Sequence, residues 1–349
     1  MTDRSDGFRV AAIQAAPVFA DLQASLDKAL RLIQQAANRG AQLVAFGESW
    51  LPGYPLHTLV SSTTEAWWDC AGDYMAQGVD VPGPETQALC DAARQAGVDL
   101  VMGVCERDPI TRGTLYSTLL FIGAEGELLA RHRKLRPSPH ERAVWGDGDA
   151  VDMKVHERGY ALVSGLAGCE HQMALPTFAL AEQGAEVHVA AFSGYEPPGP
   201  RRATFFPAQQ LLARAFAVQA GCYVLCVGAA MTPAALGEKH GFLSTEGFAG
   251  GSVIVDPRGE IIGGPAAGET ILYADCVKSS IRSAKVAFDC GGHSARRDQL
   301  KWWTPAIQAD EDQQMRGEGG YGEGPGGGPG DGSGASPGGF PQGRGERGG

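Results

Sequence analysis

Two residues stand out for chemistry because of where the chain leaves them. Cys169 follows residues 161–167, small and branched apolar residues that read as a buried strand, and Gly165 and Gly168 near its end permit a sharp turn. A helical stretch comes next, with Pro176 in its first turn, Phe178, Leu180 and Ala181 as its apolar face, and Gly184 as its stop. A thiol at a strand exit beside a helix start is where a thiolate is favoured, since helix N-terminal amides lower a thiol pKa. The plainer reading of Cys169 is a buried core thiol. Glu48 ends a second strand, 41–46, and is followed by a Pro/Gly loop carrying Trp50 and Tyr54. Open sheets place their chemistry at that strand edge, so this carboxylate is a site candidate, against the alternative of a surface acid.

A third stretch, 131–149, reads RHRKLRPSPHERAVWGDGD. Arg131, Arg133, Lys134 and Arg136 taken alone are a solvated charge run. The run again ends a strand, however, and Pro137, Pro139, Glu141 and Trp145 follow as a stiff loop able to line a pocket. Asp147, Gly148 and Asp149 read as a turn rather than a metal loop.

The elements that must position these residues alternate. Residues 8–14 form a strand, 22–38 an amphipathic helix with Leu26, Ala29, Leu30 and Ile33 at helical spacing, and Gly40 closes it. Pro84–Ala96 is a helix and 98–105 a strand; 115–122 and 128–132 flank a hairpin turn at 124–127. A strand at 187–192 completes the central unit, followed by a helix over 202–220, a strand over 222–230, a hairpin over 250–263 and a last strand over 271–276. That count implies two sheets with helices outside.

The 349 residues, 43% of them hydrophobic, suffice for a substantial core. A net charge of −11 argues against a nucleic-acid partner, which Lys and Arg would have to neutralise. The N-terminus MTDRSDGF has no signal pattern, and no apolar run approaches the roughly 20 residues that span a bilayer, so the expectation is a soluble cytoplasmic protein with no membrane partner. Eight scattered cysteines fit reduced thiols, and the close pair Cys222 and Cys226 has no second pair or histidine to complete a zinc site. Residues 317–349 hold 17 glycines in 33 positions, which predicts a disordered tail.

Three segments, VAFGESWLPGYP, the 131–149 stretch and GCEHQMALPTFALAEQGAEVHVAA, closely resemble the glutamate, lysine and cysteine motifs of the nitrilase superfamily of carbon–nitrogen hydrolases, in the family's order. The likeness continues through DCGGHSARRD and covers about residues 8–303; Glu170, His171 and the run 187–191 look most like the nitrilase branch. The resemblance implies an α/β fold, a four-layer αββα sandwich of two mixed sheets with outer helices, and assembly into a homodimer or larger spiral. It implies Glu48 as general base, Lys134 as the cation beside the thiol, Glu141 as the second active-site carboxylate and a cysteine nucleophile. A thiolate attacks the nitrile or amide carbon, glutamate takes the proton and activates water, and lysine bears the developing charge. No metal or organic cofactor is needed.

The family's nitrilase branch reads cysteine, tryptophan, glutamate, histidine where this chain reads Gly168, Cys169, Glu170, His171. Aligned without gaps, the family's cysteine falls on Gly168 and Cys169 takes the tryptophan position. Gly47 stands where proline usually precedes the glutamate. Three readings follow: a hydrolase in which Gly168 lets the turn bring Cys169 into the pocket, a binding or assembly protein that has lost hydrolysis, and an enzyme using Glu48 and Lys134 for non-covalent chemistry.

Overall fold

The structure, a computed structural model, describes residues 6–62, 64–195 and 202–296, with the backbone alone over 202–207. The tail expected at 317–349, and the part of the family likeness beyond 296, lie outside the described residues.

Twelve strands form two mixed sheets among these residues. The first contains β1 (Gly7–Gln14), β2 (Leu43–Ala45), β3 (Asp99–Arg107), β4 (Leu115–Ile122), β5 (Leu128–Arg133) and β12 (Thr270–Val277), in the order β12-β1-β2-β3-β4-β5. The second contains β6 (His156–Glu157), β7 (Leu162–Ala167), β8 (Val187–Ala191), β9 (Tyr223–Val227), β10 (Val253–Val255) and β11 (Ile261–Gly263), in the order β11-β10-β9-β8-β7-β6. Strands β1, β2 and β3 run parallel, as do β7, β8 and β9, and antiparallel strands finish both sheets.

The period of two along each strand divides the core. Val10, Ala12, Leu43, Ala45, Leu119 and Phe121 meet Val163, Val187, Val189, Leu225 and Ile254 between the sheets. Their alternates on the first sheet, Ala11, Ile13, Val44, Leu100 and Leu120, pack with helices α1 (Leu22–Ala37) and α3 (Pro84–Ala96). On the second sheet Leu166, Ala190, Val224 and Cys226 pack with α4 (Ala174–Glu182) and α5 (Arg202–Ala220). The result is the expected αββα sandwich. Cys222 and Cys226 lie buried in that outer layer.

Helix α1 starts where the Asp21 side chain accepts from Ala24 N–H, and it buries Leu26, Ala29, Ile33 and Ala36 at helical spacing. Two helices were not anticipated. Helix α2 (Glu65–Ala76), capped by Thr64, buries only Trp67, Cys70 and Tyr74, and α6 (Lys278–Ala287) buries only Ile281, so their apolar stripes are thin. The turn after β7 is likewise more elaborate than expected. A 3-10 turn, Gly168–Gln172, separates the strand from α4, so Cys169 precedes the α-helix by a full turn.

Candidate active site

Three strand exits converge. Residue 48 follows β2, residue 134 follows β5 and residue 168 follows β7. The Glu48 loop enters through a close backbone approach: its amide donates to Phe192 O at 3.0 Å, and it crosses Gly103, where a Cβ would meet Gly47 O at 2.1 Å. Only glycine fits that crossing. Lys134 is held by its own backbone, its amide donating to Ser117 O and its carbonyl accepting from Gly148 N–H.

The buried Lys134 Nζ donates to Glu48 Oε1 at 2.6 Å and to Glu141 Oε2 at 2.8 Å. Further donors fix both carboxylates. Ser117 Oγ donates to Glu48 Oε1 at 3.1 Å, while Ser138 N–H and Tyr54 O–H donate to Glu141 at 2.7 and 2.8 Å. Tyr54 spends its only proton on Glu141, so its oxygen accepts from His140 Nε2 at 2.7 Å. Glu48, from one segment, and Lys134 and Glu141, from another, are thus brought together.

Electrostatics then separates the two carboxylates. Burial pushes the Glu48 carboxyl up to about 7 against the pull of Lys134, with Glu141 adding to the rise. Burial acts on Glu141 in the same sense, but Lys134 and the Ser138 and Tyr54 donors outweigh it and hold this carboxyl below its usual range. For Lys134, burial works against the charge, and the two glutamates more than reverse it, holding the ammonium well above its ordinary value. The centre is therefore a fixed cation, one fixed carboxylate and one carboxyl poised near neutrality to take a proton.

The structure places residues 168 and 169 differently toward this centre. Gly168 has φ +48°, and a Cβ built on it would lie 2.6 Å from Glu48 Oε2 and 3.0 Å from Lys134 Nζ. The Cys169 thiol instead donates to Arg136 O at 3.3 Å, half-buried. Burial pushes this thiol up, Lys134 opposes that, and Glu48 and Glu141 add to it. Cys169 nevertheless lines the same cavity of about 410 Å³ as Glu48, Glu141 and Gly168, with Tyr54, Phe192 and Tyr195 among its apolar walls. Among the described residues no group of three His, Cys, Asp or Glu is placed to hold a metal.

Sequence reading missed the buried Glu170 as a clamp. Its carboxylate accepts from Ala167 N–H and Leu135 N–H, each at 2.8 Å, and contacts His132 Nε2 at 3.0 Å. It therefore ties the residue before Gly168 to both sides of Lys134. Ser117 was missed as well, although a hydroxyl on the face that Leu119 and Phe121 share is a legible signal.

The carbon–nitrogen hydrolase family profile matches residues 9–286. The chain belongs to the carbon–nitrogen hydrolase family, within the nitrilase superfamily. It is 45% identical over 291 residues to Nitrilase 2 from an unknown prokaryotic organism, covering 83% of this chain and 90% of that one. Over 313 residues it is 37% identical to an aliphatic nitrilase of Rhodococcus rhodochrous, covering 86% and 83% of the two chains. The fold of this carbon–nitrogen hydrolase is shared with Saccharomyces cerevisiae Nit3, a member of branch 10 of the nitrilase superfamily, at 23% identity and a TM-score of 0.65 over 81% of this chain and 94% of that one. Membership, together with these nitrilase relatives, supports an enzyme acting on carbon–nitrogen bonds. No helix among the described residues is long and apolar enough to cross a membrane.

Proposed function

We propose that the chain hydrolyses a nitrile, to acid and ammonia or to an amide, through a covalent intermediate on Cys169. The observation that carries this reading is the placement of the Cys169 thiol in one cavity with the Lys134-bridged carboxylates Glu48 and Glu141. The nitrilase names of the two relatives support the nitrile over other carbon–nitrogen bonds.

The thiol proton passes to Glu48, sulfur attacks the nitrile carbon, one carbon–nitrogen π bond opens and nitrogen takes up a proton, giving a thioimidate. Lys134 stabilises the charge that gathers on nitrogen. Water deprotonated by Glu48 adds to the same carbon. If nitrogen then leaves as ammonia, a thioester remains for a second water to hydrolyse; if sulfur leaves, the product is the amide. To attack, Sγ gives up one weak S–H···O bond to Arg136, and Gly168 sets no side chain in its way.

A second reading draws on the same bond. With Gly168 facing Glu48 and the thiol tied to Arg136 O, the site retains a substrate without hydrolysing it, and the chain serves as a binding or assembly protein. Ammonia release and amide formation over a panel of nitriles and amides separate the two. Either product disappearing in Cys169→Ala supports the first reading; neither product from any substrate supports the second.

For assembly, Leu175 on α4, Leu211 and Val218 on α5, and Phe288 after α6 are exposed apolar side chains. These, with the family membership, support a homodimer or larger spiral. Light scattering tests the assembly, and a strictly monomeric chain at micromolar concentration would sink it.

A further inference from the structure

Behind the 168–172 turn, three polar side chains form a continuous buried line that the reaction above does not use. Ser164 on β7 and His188 on β8 are register partners, both fully buried on the sheet face that packs against α4 and α5. Ser164 Oγ lies 2.9 Å from His188 Nδ1, His188 Nε2 lies 3.0 Å from His171 Nε2, and His171 Nδ1 lies 2.9 Å from Gly168 O. The Phe216 ring centre lies 4.5 Å from that of His188 and the Phe192 ring centre 5.0 Å from that of His171, both tilted, so aromatic rings pack beside each imidazole.

The donors in this line can be assigned from one end. A carbonyl oxygen has no hydrogen, so His171 Nδ1 carries a proton and donates to Gly168 O. Burial pushes both imidazoles down, so each is neutral. His171 Nε2 is then an acceptor, His188 Nε2 must donate to it, and His188 Nδ1 must accept from the Ser164 hydroxyl. Every hydrogen in the chain points toward Gly168. Each buried polar atom is satisfied in this arrangement, and reversing any one of them leaves two donors or two acceptors face to face.

We propose that Ser164, His188 and His171 form a positioning relay that fixes the Gly168–Cys169 peptide, and through it the approach of the Cys169 thiol to Glu48 and Lys134. The peptide is planar, so holding the Gly168 oxygen holds the Cys169 N–H on the opposite side. Gly168, at φ +48° and without a Cβ, has no side-chain packing to keep that peptide in place. The relay supplies the missing restraint from the core. His188 and Ser164 never reach the cavity and act only through His171.

The inference rests on Cys169 as nucleophile, and its test is chosen to survive the failure of that reading. In the full chain, His188→Leu breaks the relay, while His188→Gln keeps a donor near the Nε2 position. Three quantities are compared: the rate at which iodoacetamide alkylates Cys169, followed on its peptide by mass spectrometry; the imidazole ¹⁵N shift of His171 Nε2, which reports the hydrogen bond from His188; and kcat against KM. His188→Leu is expected to change the alkylation rate at least threefold, to move the Nε2 shift toward that of an acceptor without a donor while Nδ1 keeps its proton, and to lower kcat about 10-fold with KM little changed, as misplacement at a distance does. His188→Gln is expected to recover most of each. Should His188→Leu fail to fold, Ser164→Ala is measured instead, with the same signs and smaller changes. Unchanged alkylation and an unchanged kcat, with only a lower melting temperature, would overturn the relay and leave a structural contact. If the parent shows no turnover, the alkylation rate still decides the relay, and the nucleophile reading fails on its own.

Discussion

Gly168 turns a bare Cα toward Glu48: a Cβ at this position would stand 2.6 Å from Glu48 Oε2, while the neighbouring Cys169 thiol reaches away to Arg136 O. Residue 168 is therefore the position with a direct line to Glu48 and Lys134. Gly168→Ala is expected to destabilise the fold by about 1–2 kcal/mol from the left-handed backbone alone, with more from displacing Glu48. Thermal unfolding checks this. A variant as stable as the parent would show that the turn does not hold φ +48°.

Glu48→Gln and Lys134→Ala are each expected to lower kcat at least about 100-fold with the fold retained, since both groups meet charge that develops during the reaction. The pH profile follows from the same site. Glu48 must be ionised to accept the thiol proton and its carboxyl is raised to about 7, so kcat/KM should climb as pH rises through that value. Turnover that is flat from pH 5 to 9 would remove Glu48 as the base.

The same shift has a signature in stability. Because the folded carboxyl is raised above its unfolded value, the folded state holds the proton more tightly, and stability from this group is lost as pH rises from about 4.5 toward 7. In Glu48→Gln that decline should be missing. Denaturant titrations of parent and variant across the window measure it, and parallel curves would contradict the burial of a titrating Glu48.

Glu170 is expected to behave in the opposite sense. Burial alone would raise its carboxyl, but His132 and the Leu135 and Ala167 amides hold it below its usual range, so its contribution is present above the ordinary carboxylate pKa and is lost as pH falls through the folded value. Glu170→Ala strips two buried amides of their acceptor and should cost roughly 3 kcal/mol. A loss below about 0.5 kcal/mol, the scale of an ordinary surface substitution, would show that Glu170 does not clamp the turn to β5.

The sandwich was legible because its strands are short continuous apolar runs between helical stretches: both faces are buried, so the step from Val10 to Ala11 to Ala12 passes from one core layer to the other and back without a polar residue. Glu48 and Lys134 could be picked out because both leave strand ends into stiff loops. The contacts that organise them could not. Tyr54 to Glu141 spans 87 positions and Ser117 to Glu48 spans 69, and nothing local marks such partners. The short turn before α4 was hidden for a different reason, since Gly165 and Gly168 mark a sharp turn and Pro176 a helix start, but nothing between them shows that Gly168–Gln172 winds into a 3-10 turn. The direction of the Cys169 side chain depends on that winding.

Rebuilding the family's order with Gly168→Cys and Cys169→Trp tests the turn itself. If the turn serves Cys169, the double variant should lose turnover, because a Cβ at 168 crowds Glu48 and the thiol is moved. Gain of hydrolysis from an inert parent would mean that Glu48, Lys134 and Glu141 stand ready around an absent nucleophile.

The most direct measurement is a covalent trap. The parent is incubated with a slowly turned-over nitrile, quenched in acid and digested, and the peptide containing Cys169 is weighed by mass spectrometry. The expected result is that peptide carrying the acyl or thioimidate mass, with no adduct in Cys169→Ala. An unmodified Cys169 in a chain that releases ammonia would contradict the assignment of the nucleophile.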